Sequence, residues 1–429
     1  MMWLFTIAAF VLLLCMVRAK GVNKLIFFLA SVMFLHEHVI PWGDFHKFAA
    51  LCFGVSCLKE YGCLKRSLKT FPFTKILLVL LALHIANAFF NPYIPLRRAL
   101  FLSVSTYFIS FGVFFLSYTS ISSPLDIQKL RRFLSAVLIA IIVVCLVSFV
   151  LGFSPVLALQ GTRTLGGVHG KLSAFMISPN SHAMSMIFPF IFMSFFLKSK
   201  KLFYVVLGLI LCIGLSSHRA SFADLFLAFA CILFLGPKTS SVGKKIRIIF
   251  GVLLVVCATG FVLINSHIID AGKKIERMAD AVQTEDRNAG GSSIAMRLYQ
   301  LDVAIQYYKR RPIWGHGIGY YNNFLQGNGN VGMYGMESFI LWLLLEYGAC
   351  LIVCICLYLL LVYFYFIKRR LMQREKIYTS IAITTLTVLI FHQVLNRPWG
   401  VFEYAWPLIA ICVRALEFEK LKIRMGSQI

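Results

Sequence analysis

Acidic side chains are scarce in this chain: 17 Asp and Glu against 42 Lys and Arg, with charged residues of both signs making up only 14% of 429. An ordinary soluble domain carries about 25% charged residues. The deficit excludes a soluble globular fold, because 59% of the residues are hydrophobic and many fall in unbroken runs such as Leu134–Phe153, Ile246–Ile264 and Gly348–Ile367. Each run is about the length needed to cross a bilayer core, and no soluble domain could cover that much apolar surface. The sequence therefore predicts an all-α polytopic membrane protein.

Other absences narrow the chemistry. No Walker motif and no dinucleotide fingerprint occurs, which argues against ATP-driven transport. No HExxH, DxD or paired CxxC occurs either, and His36, Glu37 and His38 are spaced so that three ligands cannot share one helix face. No metal and no cofactor is expected. The twelve cysteines sit mostly within apolar runs, so neither a disulfide framework nor a zinc site is indicated. Cys350, Cys354 and Cys356 read as small packing residues of a span. The apolar stretch Trp3–Val17 has no basic region before it and no small-residue cleavage site after it, so it reads as a first span rather than a signal peptide.

Spans are predicted near residues 2–17, 25–41, 44–58, 75–91, 99–118, 134–153, 178–197, 202–217, 220–235, 246–266, 346–367, 377–394 and 400–414, for a range of about 11–13 helices. The net charge of +25 is concentrated in short loops between these runs: Arg18 to Lys24, Lys59 to Lys75, Lys129 to Arg132, Lys198 to Lys201, Lys238 to Arg247, Lys368 to Lys376, and the tail from Arg414. That is the topogenic pattern of a membrane protein rather than a nucleic-acid surface, so no nucleic-acid partner is expected. It puts the C-terminus in the cytoplasm and a long loop from His267 to Gly335 on the opposite side. The chain thus divides into an N-terminal transmembrane bundle (1–266), an extracytoplasmic loop (267–335) and C-terminal helices with a cytoplasmic tail (336–429).

Within the loop, Ile294, Leu298, Leu301 and Ile305 lie on one face of an amphipathic helix over Ile294–Tyr308. Ser292 and Ser293 offer a cap and Arg310–Arg311–Pro312 a stop. Gly315, Gly317 and Gly319 form a turn, Tyr320–Tyr334 a loop, and a new helix starts near Met336.

Arginine on the translocated side runs against the positive-inside bias. Arg163, Arg219, Arg287, Arg297, Arg310, Arg311, Arg97 and Arg98 all fall there. Two readings stand side by side: snorkelling to lipid phosphates, or bidentate capture of a diphosphate by several converging guanidinium groups. Glu337 and Glu346 lie nine residues apart, about 13–14 Å along a helix, too far to serve one bond. Glu337 reads either as a dipole-stabilised helix start or as a general base. Glu346, deeper in the span, reads as a paired structural acid.

Four local patterns resemble the O-antigen ligase/polymerase superfamily of bacterial envelope glycan assembly, over about Arg163 to Gly348. They are the Arg163–Gly166 turn followed by Pro179–Asn180, the Ser217–His218–Arg219–Ala220 turn, Ala295–Met296–Arg297–Leu298, and Arg311–Pro312–Ile313–Trp314–Gly315–His316–Gly317–Ile318–Gly319 ahead of a Leu–Glu–Tyr–Gly helix. The resemblance implies a C-type membrane glycosyltransferase in the bacterial inner membrane. Such an enzyme takes an undecaprenyl-diphosphate-linked glycan, needs no metal and works among membrane lipids, with a chain-length co-polymerase as a further partner. It implies diphosphate-binding roles for Arg219 and Arg297, with Arg163 assisting. Ligases of this superfamily carry His–Asn where this chain has Glu337–Ser338, so the resemblance favours a Wzy-type repeat-unit polymerase. An O-antigen ligase acting on lipid A-core is the alternative. Glu337 would be the inverting base, and Tyr320, Tyr321, Asn322 and His316 would contact sugar. A lipid-linked oligosaccharide flippase is the rival from another class, but transporters typically show internal repeats, and none is evident.

Overall fold

The computed structural model describes residues 2–35, 39–40, 43–151, 179–197, 199–216, 219–236, 294–321, 339–372, 376–395 and 401–426. Helices α1 (Met2–Arg18), α2 (Val22–Leu35) and α3 (Phe45–Leu58) pack against one another. A minimal antiparallel pair joins α2 to α3, with Val39 opposite Asp44 and Ile40 opposite Gly43. The predicted second span was drawn to residue 41. Its helix ends at Leu35, and Val39–Ile40 belongs to this pair instead.

Then come α4 (Tyr61–Thr70), α5 (Thr74–Phe89), α6 (Leu96–Tyr107), a widened π turn over Phe108–Gly112, α7 (Val113–Ser120) and α8 (Pro124–Leu151). These are followed by α9 (Pro179–Ser194), α10 (Ser199–Ser216), α11 (Arg219–Leu235), α12 (Ile294–Arg310), α13 (Phe339–Met372), α14 (Ile377–Leu395) and α15 (Phe402–Gly426). Every predicted span within the described residues has a helix over it; the span 246–266 lies outside them. The chain is an all-α polytopic integral membrane protein. Among the described residues, three helices are long and apolar enough to cross a membrane singly, Leu96–Ser120, Pro124–Ser148 and Ile340–Met372, and shorter apolar helices accompany them.

The helix α4 was not foreseen. Its basic residues made 59–75 read as a loop, yet it forms an amphipathic helix bent by 106° from α5.

Lipid-facing surfaces are visible as helical stripes. Ile7, Phe10, Val11 and Leu14 on α1 are exposed at i, i+3, i+4 and i+7, and Ile139, Val143, Val147 and Val150 make the same kind of stripe on α8. Such continuous apolar exposure is stable only against acyl chains. The hydroxyls of Ser31, Ser148, Thr385 and Thr387 donate to carbonyls four residues earlier on their own helices, so they enter the bundle already satisfied.

One end of the bundle is held by charge. Glu60 accepts from the backbone N–H of Gly21 and from Lys24 Nζ at 2.7 Å, which fixes the α1–α2 turn where Gly21 has a positive φ. Ser123 and Asp126 form a reciprocal cap for α8, with Pro124 at its first position. Arg414 of α15 lies 3.7 Å from the Tyr118 ring centre and donates to the Tyr118 carbonyl and to Glu417, while the Tyr118 hydroxyl also donates to Glu417. Arg370 and Ser380 both donate to the Leu235 carbonyl at the end of α11.

In the interior, Trp406 stacks on Phe114 (5.0 Å, 13°) and its indole N–H donates to the Ser110 carbonyl in the π turn. A π turn widens the backbone ring, and Trp406 serves a carbonyl within it. Trp406→Phe keeps a ring in the stack and removes the donor. It should lower unfolding stability by about 1–3 kcal/mol, readable as a reduced thermal midpoint of the detergent-solubilised protein.

Candidate functional site

The end of the bundle opposite those charged latches is built differently. Helix α13 is interrupted at Gly348, whose φ of 66° and ψ of −173° are not helical. A break in an apolar helix frees backbone groups that lipid cannot satisfy. Residues 312–317 fill it. His316 N–H donates to the Leu345 carbonyl and Gly317 N–H to the Glu346 carbonyl, while Ala349 and Cys350 N–H groups donate to the carbonyls of Pro312 and Ile313. From α5, the Asn87 amide gives one hydrogen bond to the Trp314 carbonyl (2.9 Å) and another to the Glu346 carbonyl (3.0 Å). Asn91 donates to the Ile318 carbonyl at 2.7 Å.

Glycine is required at this crossing for space as well as conformation. A Cβ on Gly315 would lie 2.6 Å from the Glu346 carbonyl and the Gly348 nitrogen, and one on Gly348 would lie 2.4 Å from the Gly315 nitrogen. Both residues also have positive φ.

The loop so held carries an aromatic group. His316 stacks on Tyr320 with centroids 4.2 Å apart, and Tyr93 and Tyr307 pack on the same pair. His316 Nε2 faces the Tyr307 carbonyl at 2.8 Å, so that nitrogen carries the proton; Nδ1 then accepts from the Tyr93 hydroxyl at 3.3 Å. Burial, together with the cations Arg311 and Arg310, pushes the His316 pKa below its ordinary value of 6.5. Burial also raises that of Tyr320, so both rings are neutral near pH 7.

The predicted residues can now be placed. His316, Tyr320 and Tyr321 come together, all buried, and the Tyr321 N–H donates to Glu346 Oε1 at 3.1 Å. Glu346 thus has the partner expected of an acid inside a span. Arg219 is the first residue of α11, and Arg297 lies in the first turn of α12, as the sequence pattern placed that helix. Arg310 lies over the Tyr307 ring at 4.8 Å and Arg311 donates to the Phe90 carbonyl, while Arg97 and Arg98 are exposed in the first turn of α6. Arg163, Arg287, Asn322, Glu337 and the cap residues Ser292 and Ser293 lie outside the described residues. Sequence reasoning missed Asn87, Asn91 and Tyr93. The only signal was two amides four residues apart at the end of an apolar run, beside Pro92.

A family model described as Wzy_C, O-antigen ligase, matches residues 203–356. Over that stretch, which is less than half of the chain, the protein is similar to the O-antigen ligase family, in support of the O-antigen ligase/polymerase superfamily. No curated protein matches the sequence. The O-antigen ligase match begins within α10 and ends eight residues past Gly348, so it takes in Arg219, Arg297, the glycine loop and the broken helix. Asn87, Asn91 and Tyr93 fall outside it. The similarity supports a ligase/polymerase-type role in surface polysaccharide synthesis, among lipid-linked glycans and membrane lipids.

Two outcomes follow for this site. Asn87→Ala removes both amide hydrogen bonds at the break and should cost about 1–3 kcal/mol, whereas Gly348→Ala should cost more, since strain and overlap add. Thermal unfolding of purified variants checks the order. Because the folded pKa of His316 is depressed, its contribution to stability is present above 6.5 and is lost as pH falls through the lower folded value. The wild-type midpoint should therefore drop more between pH 7.5 and pH 5 than that of His316→Gln.

Proposed function

We propose that the protein is a surface-polysaccharide polymerase of the bacterial inner membrane. It would transfer glycan from a polyprenyl-diphosphate donor to the terminal sugar of a lipid-linked repeat unit. The observation that carries this reading is the placement of Arg219 and Arg297, each at the start of a helix within the O-antigen ligase match. A helix start adds its own positive potential to the guanidinium charge.

In the proposed step the acceptor hydroxyl oxygen forms a bond to the anomeric carbon as the bond from that carbon to the diphosphate oxygen breaks. Attack from the face opposite the leaving group inverts the anomeric centre. The hydroxyl proton passes to Glu337. The electron pair stays on the polyprenyl diphosphate, where Arg219 and Arg297, with Arg163, stabilise the developing charge. Stabilising charge that grows in the transition state is usually the largest catalytic contribution. Asn322 would contact the sugar, and the buried Tyr320, Tyr321 and His316 would hold the shape of the wall behind it. Glu337–Ser338, in place of the His–Asn of ligases, favours polymerase. The printed description of the matching family favours a second reading, transfer of finished glycan to lipid A-core.

A clean deletion strain and its complemented control distinguish the two readings. Loss of the long ladder with single repeat units still transferred supports polymerase. Full-length polymer retained on the lipid carrier, with none on its final acceptor, means ligase. Complementation with Arg219→Ala or Arg297→Ala should yield no polymer at unchanged protein level. Full-length polymer from either variant would remove that arginine from the mechanism.

A further inference from the structure

Asp224 of α11 and His392 of α14 meet inside the bundle, with Asp224 Oδ2 2.6 Å from His392 Nδ1 and neither side chain exposed. The mechanism above uses neither residue. An acid and a histidine within spanning helices are costly to bury, and such pairs are retained where they serve a site.

Their level in the bundle is specific. Asp224 is the sixth residue of α11 and His392 the fourth from the end of α14. His182, fourth in α9, and Glu403, second in α15, are also fully buried. Helix α9 packs against α11, α14 and α15, and α14 against both α11 and α15. Four neighbouring helices therefore each place a buried ionisable side chain within six residues of the same end of the bundle. Arg219 opens α11 at that end, five residues or about 7.5 Å along the axis from Asp224.

Apolar helix faces slide and rotate against one another at little cost. A short hydrogen bond between two charged or polar groups has a single good geometry. The pair thus fixes the rotation and height of α11 relative to α14, and with them the position of its first turn. We propose that Asp224 and His392 are positioning residues that hold Arg219 in register for the donor diphosphate. This rests on the reading of Arg219 given above.

Merely structural pairing and positioning differ in what an apolar replacement restores. Replacing a buried ion pair by apolar side chains of similar volume often leaves stability unchanged or higher, but it does not restore a directional contact. The test uses full-length protein in nanodiscs, with Asp224→Leu, His392→Leu and the double variant.

Three quantities are read: the thermal midpoint, KM and kcat for a polyprenyl-diphosphate-linked glycan, and the rate at which a water-soluble maleimide labels an Arg219→Cys reporter free of other exposed cysteines. In the double variant the midpoint should return to near wild type. The donor KM should stay raised about tenfold, as a small misplacement of a binding group produces, with kcat lowered as well because Arg219 also stabilises the charge developing on the leaving diphosphate. The reporter labelling rate should differ several-fold from that in the intact pair. The double variant also covers the case in which the single variants fail to fold.

A double variant with wild-type KM and labelling would overturn the proposal and leave the pair as a helix staple. Unchanged labelling with an altered midpoint would overturn it equally. If labelling shifts while Arg219→Lys leaves the donor KM untouched, the pair does position α11 and it is the diphosphate reading of Arg219 that fails.

Discussion

A helix that breaks among apolar side chains leaves backbone N–H and C=O groups where water cannot reach them, and each must find a partner within the protein. The interruption of α13 at Gly348 creates that demand, and the glycine loop at 312–317 meets it by lending its own backbone. The surrounding geometry follows. Gly315 and Gly348 must lack side chains for the two backbones to cross, and Asn87 must reach both strands of the crossing. Once the loop is seated, the Tyr320–His316 stack and the Tyr321–Glu346 hydrogen bond are fixed in place. The arrangement converts a potential weakness of the span into a rigid mount for the candidate glycan-binding residues.

The two ends of the bundle use different physics. At one, the Lys24–Glu60 ion pair fixes the α1–α2 turn, and Arg414 and Glu417 of α15 together clasp Tyr118 of α7. At the other, neutral amides, backbone groups and a neutral histidine do the holding, and the ionisable groups there lie deep in pairs and layers. The match to the O-antigen ligase family covers only part of this assembly. Helix α5 supplies Asn87, Asn91 and Tyr93 from outside it, and α14 supplies His392. The domain is therefore completed by helices before and after it.

Much of this was legible in the sequence. Apolar runs located the helices, because bilayer thickness sets their length, and the 3.6-residue period with Arg310–Arg311–Pro312 delimited α12 closely. Where charge density obscured the period, as in α4, a helix was read as a loop. The glycine spacing at 315, 317 and 319 marked a special turn, and the chain alone marked Arg219, Arg297 and Glu346 as out of place for their surroundings. The chain could not show what those glycines were for. Their purpose is defined by a second backbone segment thirty residues away and by an amide more than two hundred residues away.

Composition and periodicity thus determined that this is a bundle of membrane helices with cations at an unusual edge, since burial of apolar surface and backbone satisfaction act on each segment locally. Only the tertiary structure decided that a loop completes a broken helix, that Asn87 closes the junction, and that Asp224 finds His392. Directional contacts between remote segments depend on how helices are rotated and stacked, and no single segment encodes that rotation.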